Sequence, residues 1–289
     1  MGYVKKAYEL INAHPVILVP QIGNLALNII CNVLIMNHAT DFTLSVHSPL
    51  SMVTSLGSLV VITLVATLVG LIIYAGTGNM IKSAINNNQT SLKDFGTGVK
   101  KYLGKIILAT LLIIAIMILA VLVICIPGVL LLVLSLWGDG FHGKGHIYPF
   151  NTLTIGSIIA LAISVLAIII SVVVIGVLTS LWMPAVIMDD EGVISGLSKG
   201  FKAAKKNFWT ILGIGALYII ISWAVVIGLN LLYGAVNRST LLDIPAFHYM
   251  DVISYAITII LTTVFTAFLF LVYKDTSKEE GNPANLGGI

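Results

Sequence analysis

The sequence predicts an all-α, polytopic membrane protein with six transmembrane helices, and its composition and hydropathy both point to that fold class. Hydrophobic residues fill 58% of the 289 positions, charged residues fill only 9%, and the mean hydropathy is +1.05. Soluble domains are roughly 45–50% apolar and about 25% charged. A water-soluble fold of this size could not bury the excess apolar surface, so we expect the chain to lie in a bilayer.

Six apolar stretches are long enough to cross a membrane, which takes about 20 residues for roughly 30 Å of hydrocarbon. They cover residues 15–36, 52–75, 105–127, 158–183, 209–235 and 252–273, and none has a charged residue in its central portion. A continuous helix over 105–137 would extend about 50 Å, so we expect Pro127 and Gly128 to break it. Pro184 offers a similar break in the fourth run, and Pro20 can kink the first.

The distribution of lysine and arginine predicts the orientation of the chain. Only Lys144 and Arg238 fall on one side of the predicted spans. The other 13 of the 15 basic residues fall on the opposite side: Lys5, Lys6, Lys82, Lys93, Lys100, Lys101, Lys105, Lys199, Lys202, Lys205, Lys206, Lys274 and Lys278. The positive-inside rule then predicts a multi-pass protein of a bacterial or archaeal cytoplasmic membrane, with both termini in the cytoplasm.

The segment 189–209, DDEGVISGLSKGFKAAKKNFW, holds the densest charge in the chain, and its periodicity predicts an amphipathic helix in the membrane interface. Apolar residues recur at steps of three and four, which forms one stripe: Ile194, Leu197, Phe201, Ala204 and Phe208. A second stripe of small residues would let another helix approach closely: Gly196, Gly200 and Ala203. Acidic residues at its start and lysines at its end suit the helix dipole.

The same arrangement recurs twice, around the double lysines that begin at positions 5 and 100. Together with the pair at 205, these lysines are spaced by 95 and 105 residues. This spacing predicts three parallel repeat units of about 1–77, 78–188 and 189–273, each an interfacial helix followed by two spans. The alternative is that any polytopic protein carries lysines where its helices start. All units belong to one transmembrane domain, 1–273, and the polar residues 274–289 are expected to form a flexible cytoplasmic tail.

The stretch MPAVIMDDEGVISGLSKGFKAAKKNFWTILG resembles a signature of six-helix prokaryotic membrane families. These families are related to the membrane domain found beside some glycerophosphodiester phosphodiesterases. The resemblance rests on four features: Pro184-Ala185, Glu191-Gly192, Gly200 with Lys205-Lys206, and Phe208-Trp209. It implies a fold over the whole chain and little chemistry, and the chain has no room for a phosphodiesterase barrel.

Three groups of residues are candidates for sites. We expect Lys100, Lys101, Lys205 and Lys206 to contact anionic lipid headgroups. Asn24, Asn28 and Asn32 are four residues apart and share one face of the first span, where they either contact a neighbouring helix or line a polar cavity. His142 and His146 are candidate metal ligands in a glycine-containing loop, although residues that only cap a short connection would have the same composition.

The sequence contains no catalytic motif and no motif for a bound cofactor, so we expect neither catalytic residues nor a cofactor. A net charge of +3 is too small to indicate nucleic acid as a partner. The expected partners are membrane lipids, with other membrane subunits or a second copy of the chain also open. Three functions are compatible with these features: a non-enzymatic lipid-organising protein or accessory subunit; a transporter or channel for a neutral or amphiphilic solute; or a metal-dependent enzyme using the outer histidines.

Overall fold

A computed structural model describes residues 2–44, 49–140, 155–237 and 249–280. All the regular structure in these residues is helical, apart from a short 3-10 turn at Pro15–Leu18 that joins the first two helices. The helices are α1 (Gly2–Ala13), α2 (Val19–Leu44), α3 (Pro49–Asn87), α4 (Leu92–Gly140), α5 (Ile155–Thr179), α6 (Trp182–Met188), α7 (Val193–Lys206), α8 (Phe208–Asn237) and α9 (Tyr249–Glu280).

Six of these helices are long and apolar enough to span a membrane, and they fit a multi-pass membrane protein. They pack in the ring order α2, α3, α4, α5, α8, α9, and α9 closes the ring by contacting α2. In the most hydrophobic windows of these spans, between 0 and 33% of the residues are buried. The apolar faces that remain open are suited to contact with lipid, because lipid tails are as apolar as the side chains themselves.

The third span differs from the expected one in two ways. α4 runs without interruption from Leu92 to Gly140, so Pro127 and Gly128 do not break it. The expected amphipathic segment at 92–105 is the first part of α4 and forms no separate helix. It is held against α3 by close backbone packing, because a Cβ atom on Gly98 would lie 2.8 Å from the carbonyl oxygen of Ala75.

Other predicted breaks and ends are found at nearby positions. The helix of the fourth span ends at Thr179 and resumes as α6 at Trp182, so the break precedes Pro184. Pro20 lies in the first turn of α2, where the missing N–H of proline has no helical partner to lose. In the predicted tail segment 274–289, α9 continues to Glu280, and the Lys274 ammonium donates a hydrogen bond to the carbonyl oxygen of Ile85 at 2.9 Å.

The buried core lies at one end of the ring, which we call the lysine-rich end. It contains α1, the end of α3, the start of α4, α6, α7 and the end of α9. The largest fully buried side chains are found there, among them Trp182, Tyr102, Tyr273, Phe268 and Phe270. Large aromatic side chains dominate core energetics, so most of the packing energy of the described residues lies at this end.

Candidate functional site at the lysine-rich end

The acidic turn, Asp189–Glu191, connects α6 to α7 and lies among lysines from two other helices. Asp189 caps α6 through its backbone N–H, which bonds the carbonyl oxygen of Ala185, and Gly192 begins α7 in an extended conformation. Asp190 between them has φ of 59°, in the left-handed region that aspartate tolerates better than most residues. This backbone geometry places the Asp190 side chain toward α3 and α4.

The Asp190 carboxylate joins the end of α3 to the start of α4. The Lys82 ammonium from α3 lies 2.9 Å from its Oδ1 atom, and the Lys101 ammonium from α4 lies 2.8 Å from the same atom. The Tyr102 hydroxyl also donates a hydrogen bond to Asp190. Lys82 is anchored further by the carbonyl oxygen of Ile187 at 2.8 Å.

The rest of the acidic turn is bound as closely. Lys105 donates hydrogen bonds to the backbone oxygens of Asp190 at 3.1 Å and Glu191 at 2.9 Å. Lys199 of α7 pairs with Asp189 at 3.2 Å and with Glu191 at 2.7 Å, and the Tyr273 hydroxyl of α9 donates to Asp189 at 2.7 Å. The turn is therefore a polar junction of α3, α4, α7 and α9.

The electrostatics of the turn favour ionised groups. Burial alone would raise the pKa of Asp190, but hydrogen bonds from Lys101, Tyr102 and Lys82 hold it well below its usual range. The hydrogen bond from Lys199 lowers the pKa of Glu191, and the bonds to Glu191 and Asp189 raise the pKa of Lys199. A carboxylate with a pKa so far below neutral stays ionised and is poorly suited to act as a general base, so the turn is suited to holding helices together.

The packing of α7 against α6 depends on small residues, as the small-residue stripe of α7 predicts. A Cβ atom on Gly200 would lie 2.7 Å from the Cα atom of Trp182, and one on Gly196 would lie 2.4 Å from a methyl group of Val186. The indole N–H of Trp182 donates to the carbonyl oxygen of Val193 at 2.7 Å, which ties α6 to the start of α7. Close approach leaves no room for larger side chains on this face of α7.

A groove of about 610 Å³ lies between α4, α5 and α7. Ten residues in the described part of the chain line it: Ile116, Ile175, Leu178, Thr179, Ile194, Leu197, Ser198, Phe201, Lys202 and Lys205. The α7 side chains beside its mouth are open, since Ile194 is 75% exposed and Phe201 is 42% exposed. The groove therefore combines apolar walls with two ammonium groups.

The four lysines predicted to meet lipid headgroups have different surroundings. Lys100 is exposed, whereas Lys101, which is also largely exposed, is paired with Asp190. Lys205 is exposed and lines the groove, and Lys206 is exposed beside it in the sequence.

The three asparagines of α2 form a hydrogen-bonded row along the helix. Asn24 donates to Gln21 Oε1 at 3.4 Å, Asn28 donates to Asn24 Oδ1 at 3.1 Å, and Asn32 donates to the Tyr255 hydroxyl of α9. Gln21 extends the row to α3 by donating to a threonine hydroxyl at 3.2 Å. Within the described part of the chain, no donor reaches the side-chain oxygen of Asn28 or of Asn32, and the Asn28 side chain is exposed.

The proposed metal ligands His142 and His146 lie outside the described residues. Among the residues that the structure describes, no group of three or more His, Cys, Asp or Glu side chains is placed to hold a metal ion.

Several residues of the junction were not predicted as site residues. Lys82, Tyr102, Lys105, Asp190 and Tyr273 come from four separate parts of the sequence. The available signal was the charge of the acidic turn, which falls on the same predicted side of the membrane as most of the lysines. The contacts between the acidic turn and these residues depend on how α3, α4 and α9 pack together, and helical periodicity does not predict that packing.

A family described as "Domain of unknown function (DUF7847)" matches residues 3–276 of the chain. No curated protein and no solved structure matches the chain. The resemblance to the membrane domain of glycerophosphodiester phosphodiesterases therefore stays a prediction.

Proposed function

The chain belongs to the DUF7847 family, a domain of unknown function, and we propose from its geometry that it is a non-enzymatic membrane protein that organises anionic lipid at its lysine-rich end. The observation that carries the proposal is the juxtaposition on α7 of exposed Ile194 and Phe201 with exposed Lys202 and Lys205. Apolar side chains that enter the hydrocarbon beside lysines that stay in the headgroup layer are the pattern of an interfacial helix.

The proposal includes an orientation. The lysine-rich end faces the cytoplasm and both termini lie there, because the positive-inside rule places short lysine-bearing connections on that side. The membrane is the cytoplasmic membrane of a bacterium or archaeon, whose anionic lipids attract lysines by about 1 kcal/mol each. Exposed Trp209, at the start of α8, is suited to the headgroup boundary.

We also propose that the chain is built from three parallel units. α1 and α7 are the interfacial helices of the first and third units, and each is followed by two spans. In the second unit the corresponding segment is fused to its span as the first part of α4. In the proposed repeat, the middle unit therefore has no break between its interfacial and spanning parts.

The test compares the purified protein in nanodiscs of phosphatidylglycerol and of phosphatidylcholine. We expect a higher midpoint of thermal unfolding in phosphatidylglycerol, and we expect 0.5 M salt to reduce the difference, because salt screens exposed charges. Equal midpoints in the two lipids would contradict the proposal. Stoichiometric copurification of another membrane protein, with no lipid preference, would favour an accessory subunit instead.

A second candidate function is a transporter or channel for a neutral solute, and the amide row of α2 favours it. An unsatisfied amide oxygen is costly in hydrocarbon, so Asn28 and Asn32 favour water or a hydrogen-bonding solute beside them. The opposite face of α2 carries exposed Ile22 and Ile30, which suit lipid. The row would then face the inside of the ring.

Liposome swelling in glycerol and in urea tests this second function. If the amide row lines a path for these solutes, proteoliposomes should swell faster than protein-free liposomes. The Asn28→Leu variant should swell at the protein-free rate. The matched control is Asn230→Leu, on α8, outside the row. Swelling of the wild-type proteoliposomes at the protein-free rate would contradict a path for these solutes.

A further inference from the structure

The groove between α4, α5 and α7 has the dimensions of a binding site for one small amphiphile. Its volume of about 610 Å³ lies within the roughly 300–1,000 Å³ of ligand pockets. Ten of the described residues line it, whereas a stable subunit interface involves about 20–30 residues on each side. The groove therefore suits a single molecule better than a second copy of the chain.

The charges at the mouth of the groove favour an anion. Lys199, on the same helix, is already paired with Asp189 and Glu191. Among the residues that the structure describes, no acidic side chain lies within ion-pair distance of Lys202 or Lys205. Ser198, one turn before Lys202, adds a hydroxyl donor at the same mouth.

The walls of the groove extend from this mouth into the spans. Ile116 lies eleven residues beyond Lys105 on α4, which is about 16 Å at 1.5 Å per residue. Ile175 and Leu178 of α5 form part of the same lining. An occupant therefore meets ammonium groups at one end and only branched apolar side chains deeper down.

We propose that this groove is a specific site for one anionic phospholipid. The phosphate lies at Lys202, Lys205 and the Ser198 hydroxyl, and one acyl chain lies along Ile116 and Ile175. The inference rests on the proposed lipid-organising function, because it assumes that the lysine-rich end faces anionic headgroups. It adds a defined site with one-to-one stoichiometry to a general affinity for the lipid surface.

Native mass spectrometry of the full chain in detergent, with added phosphatidylglycerol or phosphatidylcholine, tests the site. We expect one phosphatidylglycerol to bind more tightly than all later ones. Two lysines at about 1 kcal/mol each predict that Lys202→Gln with Lys205→Gln weakens this first binding roughly 30-fold. The matched control, Lys93→Gln with Lys278→Gln, removes the same charge from exposed positions outside the groove and should leave the first binding unchanged.

A second variant tests the shape of the groove separately from the charge of its lysines. Ser198→Trp keeps both lysines and places a large side chain at the exposed mouth, and we expect it to abolish the first binding while the thermal midpoint in detergent stays unchanged. Inorganic phosphate up to 10 mM should not displace the lipid, since phosphate lacks the acyl chain.

Three results of the binding measurements would overturn the groove site. They are equal weakening by the groove and control lysine pairs, unchanged binding in Ser198→Trp, or displacement by phosphate alone. If the wild type still unfolds at a higher midpoint in phosphatidylglycerol nanodiscs, the lipid-organising function survives these outcomes and only the site fails. A dimer mass that disappears in Ser198→Trp would assign the groove to a second copy of the chain and also overturn the site.

Discussion

Replacing Asp190 with asparagine should destabilise the protein by about 2 kcal/mol. The substitution keeps the shape of the side chain and its tolerance of a positive φ, so it removes the charge without adding backbone strain. Lys82 is only 17% exposed and loses its carboxylate partner, whereas Lys101 is 48% exposed and can turn to water. Breaking a buried pair costs about 3–5 kcal/mol and an exposed pair about 0.2–1 kcal/mol, so this junction falls between them.

Thermal unfolding in one nonionic detergent at pH 7 measures the effect, with tryptophan fluorescence as the signal. At roughly 2–4 °C per kcal/mol, the midpoint should fall by roughly 5 °C. Glu191→Gln is the matched control, because it makes the same change of charge in the same turn. Among the described residues, the Glu191 carboxylate forms an ion pair only with Lys199, so the unfolding midpoint should move by less than about 2 °C. Equal shifts in the two variants would refute the view that Asp190 joins α3 to α4.

Three further predictions concern the same end of the fold. The native pKa of Asp190 lies below its unfolded value of about 4, so its contribution to stability is complete above that pH and is lost as the pH falls through the native pKa. The difference in unfolding midpoint between wild type and D190N should therefore shrink below about pH 4. A difference that does not change with pH would contradict this. Gly200→Ala should cost about 1–3 kcal/mol in thermal unfolding, while Gly213→Ala, with nothing within 4 Å, should be neutral or slightly stabilising. Trp182→Phe should cost about 1–3 kcal/mol by leaving a buried carbonyl without its donor, and Trp209→Phe, at 79% exposure, should change the midpoint little.

The sequence predicts the spans well because each span is defined by local properties. Length and hydropathy decide which helices can cross a membrane, and six helices meet those criteria. The wrong predictions concern helix breaks. Proline at 127 does not end α4, although proline in a helix interior removes a hydrogen bond and usually bends or breaks the helix. The break that does occur, before Trp182, coincides with the packing of α6 against α7, which local sequence does not reveal.

The candidate site is less predictable for a related reason. Helical periodicity correctly separates the small-residue face of α7, since Gly196, Gly200 and Ala203 are all buried. It does not indicate that Lys82 and Lys101 meet Asp190, because these two ion pairs join residues 108 and 89 positions apart. Trp182 illustrates the same limit: its position near the end of an apolar stretch does not indicate that its side chain is fully buried.

The charge distribution at the lysine-rich end accounts for the different roles that we propose for the junction and the groove. The carboxylates of the acidic turn are taken up by Lys82, Lys101 and Lys199, and the backbone oxygens of the turn by Lys105. Among the described residues, no acidic side chain pairs with Lys202 or Lys205, so their positive charge stays available at the groove. If the turn were uncharged, Lys199 would have no carboxylate partner and would be available to an external anion. α7 would then lose the ion pairs that hold it to the turn. The dense charge of segment 189–209 therefore has two parts: the acidic start fixes the helix, and Lys202 and Lys205 line the groove for which we propose a lipid.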